Sequence, residues 1–93
     1  ADAFVALPGG MGTMDELCEI LTWAQLELHH KPIGLFNVNG YYDHLVALMD
    51  GMVQNGFLNS KHRDLLIVSD NPEELVKALF EKTDPEHDKI TKL

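Results

Sequence analysis

The sequence Ala3-Phe4-Val5-Ala6-Leu7-Pro8-Gly9-Gly10-Met11-Gly12-Thr13-Met14-Asp15-Glu16 passes from an unbroken apolar run, through a glycine-rich turn, into a helical pattern. Residues 3–7 read as a strand buried on both faces, and Pro8-Gly9-Gly10 as a sharp turn. Thr13 opens a helical segment expected to continue to about Leu28. On it Met14, Leu17, Ile20, Leu21, Ala24 and Leu28 gather on one broad face, and Asp15, Glu19 and Thr22 on another. Such a helix lies across a sheet.

The pattern repeats downstream. Pro32 closes the first helical segment, and Ile33-Gly34-Leu35-Phe36-Asn37-Val38 reads as a second strand. Asn39-Gly40 turns the chain into a helix from about Tyr42 to Asn55, with Gly56 as its stop. Residues 59–63 read as irregular, and Leu65-Leu66-Ile67-Val68 as a third strand. Asn71-Pro72-Glu73-Glu74 combines an N-cap, proline at the first helical position and acid in the first turn, so a helix is expected from Pro72 to Glu81. The polar segment from Thr83 is expected to fray. Strand-helix-strand-helix-strand-helix with short links predicts an α/β fold: a parallel sheet between helical layers, with residues 1–93 as one unit. Three strands cover such a sheet poorly, so further strands are expected beside them.

Composition narrows the function. Fifteen acidic against seven basic residues give a formal charge of -8, which disfavours nucleic acid and anionic membranes as partners. The apolar runs are too short for a transmembrane helix. The single Cys18 excludes an intramolecular disulfide, fits a reducing, cytoplasmic setting, and reads as a buried or half-buried filler. His29, His30, His44, His62 and His87 lack metal-ligand spacing and read as surface residues, so no metal is expected. Trp23 reads as packing against the sheet or a partner subunit, and Tyr41 and Tyr42 as shaping a ligand border or a subunit surface.

The turn carries the chemistry. It stands at the C-terminal end of the first strand, where open α/β sheets bind ligands. Three glycines permit positive φ angles and close backbone approach, and the N–H groups of the following helix start can hold an anion. Its spacing matches neither the dinucleotide fingerprint nor the P-loop, so a phosphate site and a purely structural turn are both open. Thr13 and Glu16 likewise read two ways. They form a capping box, or Glu16 projects from the first turn into a pocket where its carboxylate stabilises developing positive charge.

Pro8-Gly9-Gly10-Met11-Gly12-Thr13-Met14-Asp15-Glu16 resembles the PGGxGTxxE signature of the LOG (Lonely Guy) family, the cytokinin riboside 5'-monophosphate phosphoribohydrolases, whose relatives often carry the label "possible lysine decarboxylase". The resemblance continues through Glu19-Ile20-Leu21-Thr22-Trp23-Ala24-Gln25-Leu26, Lys31-Pro32-Ile33-Gly34-Leu35, Asn37-Val38-Asn39-Gly40-Tyr41-Tyr42 and Gly56-Phe57, fading in the last ten or so residues. It implies a Rossmann-like three-layer α/β/α fold, of which this chain is the C-terminal half, and a homodimer. The implied activity is hydrolysis of the N-glycosidic bond of AMP or its N6-prenylated form, releasing free base and ribose 5-phosphate without a cofactor. A non-catalytic nucleotide-binding or carrier module of the same fold is the alternative.

Residue by residue, the resemblance makes Glu16 catalytic. It implies a substrate-binding set of Gly9, Gly10, Met11, Gly12, Thr13, Met14, Asp15, Glu16 and Thr22, in which the glycines and Thr13 hold the phosphorylated sugar. The family pairs its glutamate with an arginine from an earlier segment, and no residue here matches it. Arg63, the one arginine in the chain, lies in a different connection. No lysine stands in a context suited to anchoring pyridoxal phosphate.

Overall fold

The structure, a computed structural model, describes residues 2–82 and 90–93. Its order is β1 (Ala3–Ala6), α1 (Met11–Gln25), β2 (Ile33–Phe36), α2 (Asp43–Gln54), α3 (Ser60–Arg63), β3 (Leu66–Ser69), α4 (Pro72–Glu81) and β4 (Ile90–Lys92), with a short 3-10 turn at Val38–Gly40 before α2. All pairings are parallel and the strand order is β3-β2-β1-β4. This is the expected Rossmann-like three-layer arrangement, with a fourth strand added.

Alternation along the strands sorts two cores. On one face Ala6, Ile33, Leu35 and Leu66 pack with Leu17 and Ile20 of α1, Tyr42 and Met49. On the other, Ala3 packs with Leu75 and Leu79 of α4, supported by Val5, Phe36, Ile67 and Ile90. Gly34 makes the second face possible. A Cβ there would stand 3.0 Å from Leu75 Cδ1 and 3.1 Å from Leu79 Cδ1, so α4 sits as close to the sheet as a bare backbone permits.

Several boundaries differ from the sequence reading. Helix α1 begins at Met11, with Gly10 as its N-cap and no side-chain cap, so Thr13 and Glu16 form no capping box. It ends at Gln25 rather than Leu28. Glu27 adopts φ 61, its N–H bonding Ala24 O at 3.0 Å while Leu28 N–H bonds Trp23 O at 2.9 Å. This left-handed closure takes the place usually given to glycine. Leu28, expected on the buried face, therefore lies beyond the helix and is 68% exposed. Helix α2 closes the same way on Gly56, as its glycine suggested: φ is 79, and Phe57 N–H bonds Met52 O at 2.8 Å.

Residues 59–63 are not irregular. Asn59 caps the one-turn helix α3, its side chain accepting from Lys61 N–H at 2.9 Å. In α4 the predicted cap is present: Asn71 Oδ1 accepts from Glu73 N–H at 2.9 Å and Glu74 N–H at 3.1 Å, with Pro72 at the helix start. Within the segment expected to fray, residues 83–89 lie outside the described residues, but Ile90–Lys92 pairs with β1 as β4. Among the described residues no helix is long and apolar enough to cross a membrane.

Candidate active site

The turn Leu7–Gly10 leaves β1 at the C-terminal edge of the sheet and feeds directly into α1. In this order the chain travels from β1 through β2 to β3 on one face and returns to β4 on the other, so β1 and β4 flank the point where its direction reverses. Ligands of open α/β sheets bind at such points. The first contact of the helical ladder is Met14 N–H to Gly10 O at 3.1 Å. The amides of Met11, Gly12 and Thr13 therefore lack intrahelical acceptors, and with the positive end of a 15-residue helix they favour an anion.

The motif glycines act through space rather than dihedral freedom, which corrects the expectation of positive φ. The only glycines with positive φ among the described residues are Gly40 and Gly56. A Cβ on Gly9 would collide with Thr13 Oγ1, so the Thr13 side chain folds back over the turn. Around Gly10 and Gly12 an added Cβ would meet nothing within 4 Å. The approach to the helix amides is open.

Helical geometry distributes the remaining site residues. Relative to Leu17, which is fully buried against the sheet, Glu16 is turned about 100° to one side and Cys18 about 100° to the other. Cys18 lies with Met14 and Leu21 along a groove of about 360 Å³ that α1 shares with Leu45, Leu48 and Met52 of α2. Glu16 is thus on the opposite flank, toward β4, in the second turn of the helix and not the first. Asp15 and Glu16 are exposed and, among the described residues, make no hydrogen bond or ion pair. A carboxylate in that position is available to a ligand seated on the turn.

Thr22 is not brought to the turn. It lies about 9 Å further along the axis than Glu16 and about 120° around from it, and its hydroxyl donates to Cys18 O at 2.7 Å. It lines the α1–α2 groove with Met14, and Asp15 shares its side of the helix. Met11 is 83% exposed at the helix start. The structure thus places Gly9, Gly10, Met11, Gly12 and Thr13 at the turn, with Glu16 in the following turn of α1 on the flank away from α2. Met14, Asp15 and Thr22 belong to the other side of α1.

Two residues read as border or surface prove to hold the turn. Tyr42 Oη donates to Leu7 O at 2.5 Å, and Tyr41 Oη donates to Gly9 O. The connection that delivers them is built by Asn39 and Gly40, at φ 52 and 72, and by Asn37. The Asn37 side chain accepts from Tyr42 N–H at 2.6 Å and donates to Asp43 Oδ1 at 2.7 Å. Burial, reinforced by the adjacent Tyr41, holds the Tyr42 phenol above its ordinary pKa and keeps it a neutral donor.

Other candidates separate clearly from the site. Arg63 donates to Asp50 Oδ1 at 2.7 Å and to Leu66 O at 3.2 Å, just before β3. It therefore sits at the N-terminal ends of the strands, away from the turn. His29 is not a free surface residue: its Nδ1 accepts from Lys31 N–H at 3.0 Å, so Nε2 carries the proton it gives to Ile20 O at 2.9 Å. His62 is buried, and neither ring nitrogen has a hydrogen bond among the described residues. His87 lies outside the described residues. Cys18 is exposed rather than a filler, and Trp23 is 44% exposed on the Glu16 flank. Among the described residues no His, Cys, Asp or Glu cluster could hold a metal ion.

A parallel α/β sheet whose glycine turn feeds open helix-start amides, with an exposed carboxylate further along the same helix, is an arrangement suited to an anionic ligand. The family described as "Possible lysine decarboxylase" matches residues 1–79, and the chain belongs to that family. Its relatives bear a more specific name. The chain is 50% identical over 91 residues to cytokinin riboside 5'-monophosphate phosphoribohydrolase LOG7 of Arabidopsis thaliana, covering 98% of this chain and 42% of that protein. It is 49% identical to LOG4 of the same plant, covering 100% of this chain and 43% of the relative. With the probable phosphoribohydrolase LOGL5 of Oryza sativa subsp. japonica it shares 49% identity, over 95% of this chain and 36% of the relative. The chain thus spans less than half the length of these curated relatives.

Proposed function

We propose that this chain is the C-terminal half of a phosphoribohydrolase that cleaves the N-glycosidic bond of AMP or of N6-prenylated adenosine 5'-monophosphate. The observation that carries the reading is the open helix-start amides together with the exposed Glu16 carboxylate, which has no partner among the described residues, in a chain about half identical to proteins named for this activity. The 5'-phosphate sits on the turn. As the bond from C1' to the base nitrogen breaks, positive charge grows on the sugar and Glu16 stabilises it. Water adds at C1', the base takes up a proton, and ribose 5-phosphate remains. The resemblance assigns the cation that completes the site to the N-terminal half of the protein.

Release of adenine from AMP by the full-length protein tests the activity, whereas tight AMP binding without release would assign a non-catalytic nucleotide-binding module. The phosphate seat has its own test. Gly12 lies inside α1 with open space above it, so Gly12→Val should leave the backbone in place and fill the approach to the amides. Its affinity for ribose 5-phosphate should fall at least about tenfold, or roughly 1.4 kcal/mol. Unchanged affinity by calorimetry would put the phosphate elsewhere.

The proposal includes a homodimer that seats a second copy on the groove between α1 and α2. An apolar depression holding Met14, Leu21, Leu45 and Leu48, the last 58% exposed, is costly to leave in water. Light scattering of the full-length protein should give twice the monomer mass, and Leu48→Asp should halve it. A monomeric wild type would refute the assembly.

A further inference from the structure

We propose that Tyr41 and Tyr42 are positioning residues for the phosphate turn: their hydroxyls clamp the two ends of the Pro8–Gly9 dipeptide and aim the amide that opens the anion seat. The proposal rests on the functional reading above and extends it to residues from a different βα connection, more than thirty positions away in sequence.

The argument starts from the peptide plane. A trans peptide holds its carbonyl and its N–H in opposite directions. Tyr41 fixes the carbonyl of Gly9 by hydrogen bonding to it. The N–H of the same peptide belongs to Gly10, the N-cap of α1, and must therefore point away from Tyr41. With no Cβ at Gly9 or Gly10, nothing local would otherwise fix that plane, because glycine tolerates many orientations at little cost. The second hydroxyl acts two peptides earlier. Tyr42 holds Leu7 O, directly before Pro8, whose ring fixes φ and has no N–H to anchor it. Carbonyl anchors at residues 7 and 9 thus leave the Pro8–Gly9 segment little freedom.

The clamp is itself rigid. Tyr42 is 2% exposed, its backbone N–H is held by Asn37 at 2.6 Å, and the two phenol rings meet edge to face at 5.1 Å between centroids. An anion seat made of backbone amides depends on fixed orientation, since dipoles that must reorganise on binding lose much of their effect. The hydroxyls supply that fixity from outside the turn. Neither touches the reacting atoms, so their influence belongs in the binding of the phosphorylated substrate.

Tyr41→Phe is the informative variant, because Tyr41 is 55% exposed and loses only its hydroxyl. In the full-length protein, steady-state adenine release from AMP should show KM raised about fivefold or more, with kcat changed less than twofold. Affinity for inorganic phosphate by calorimetry should fall in parallel, and Tm should stay within a degree or two. Tyr42→Phe should show the same KM effect together with a lower Tm, because it strands a partly buried carbonyl. Unchanged KM and phosphate affinity in Tyr41→Phe, with an active wild type, would overturn the clamp alone. A fall confined to kcat would also overturn it, by placing the phenol at the chemistry. A wild type that neither binds phosphate nor releases adenine would remove the functional reading and the clamp with it.

Discussion

Glu16→Gln should reduce adenine release from AMP by roughly 100-fold or more in the full-length protein, the usual scale for losing a positioned catalytic group. The glycosidic transition state is cationic at the sugar, so a carboxylate gains interaction as the barrier is climbed and a neutral amide gains far less. The structure makes the comparison cleaner than a capping role for Glu16 would have allowed. The side chain is exposed in the second turn of α1 and has no partner among the described residues, so the substitution removes no structural bond. Stability should move by less than about 0.5 kcal/mol. Asp15→Asn should cost much less activity, since Asp15 is about 100° around the helix on the side away from Glu16 and the β4 flank. Near wild-type turnover in Glu16→Gln, measured beside Asp15→Asn, would remove Glu16 from the mechanism.

The largest stability effect is expected at Leu17→Ala. Leu17 is fully buried at the centre of the larger core, where α1 meets β1 and β2. Truncation there should cost about 2–5 kcal/mol, a serious fraction of the roughly 5–15 kcal/mol that holds a typical domain together. The same residue fixes the rotation of α1, and hence the side on which Glu16 projects one position earlier. Urea unfolding of the full-length protein reads the loss. A midpoint shift worth under about 1 kcal/mol would mean that the core closes around the gap and that Leu17 does not anchor the helix.

The strongest periodic signals carried over from sequence to structure. The buried run at Ala3–Ala6, the closure at Gly56 and the cap at Asn71 each appear where local chemistry put them, because each is decided by a few neighbouring residues. Failures occurred where a distant group decided the outcome or a common signal was missing. Glu27 ends α1 in a conformation that glycine would have announced, and it is held there in part by Lys61, whose Nζ lies 2.6 Å from its carboxylate. That bond also lowers the Glu27 pKa below its ordinary value. Helix α3 is a single turn, too short for a periodic pattern, and it was read as irregular although Asn59 caps it. Strand β4 has three residues, two of them polar and exposed, and exists through pairing with a strand at the far end of the chain.

The site divides along the same line. Its glycines, Thr13 and Glu16 are contiguous, so the turn could be recognised from one stretch of sequence. The start of α1 was misplaced by two residues because Thr13 followed by Glu16 mimics a capping box, whereas the helix begins on the bare backbone of Gly10. The separation of Thr22 from Glu16 follows from helical spacing alone, whereas which flank faces α2 and which faces away needed packing. The tyrosine clamp was hidden because hydroxyl-to-carbonyl contacts across 32 and 35 positions leave no periodic trace.

Strand β4 also bears on the order in which the chain becomes complete during synthesis. Its register pairs Ala3 with Ile90, a separation of 87 positions, whereas the other neighbour of β1 begins at Ile33. On a ribosome, β1, α1 and β2 can associate before residues 90–92 emerge, so within this chain the β1–β4 pairing forms after the β1–β2 pairing. Joining the strand that bears the glycine turn to β4 is therefore a late event within this chain, and the longest-range strand pairing among the described residues.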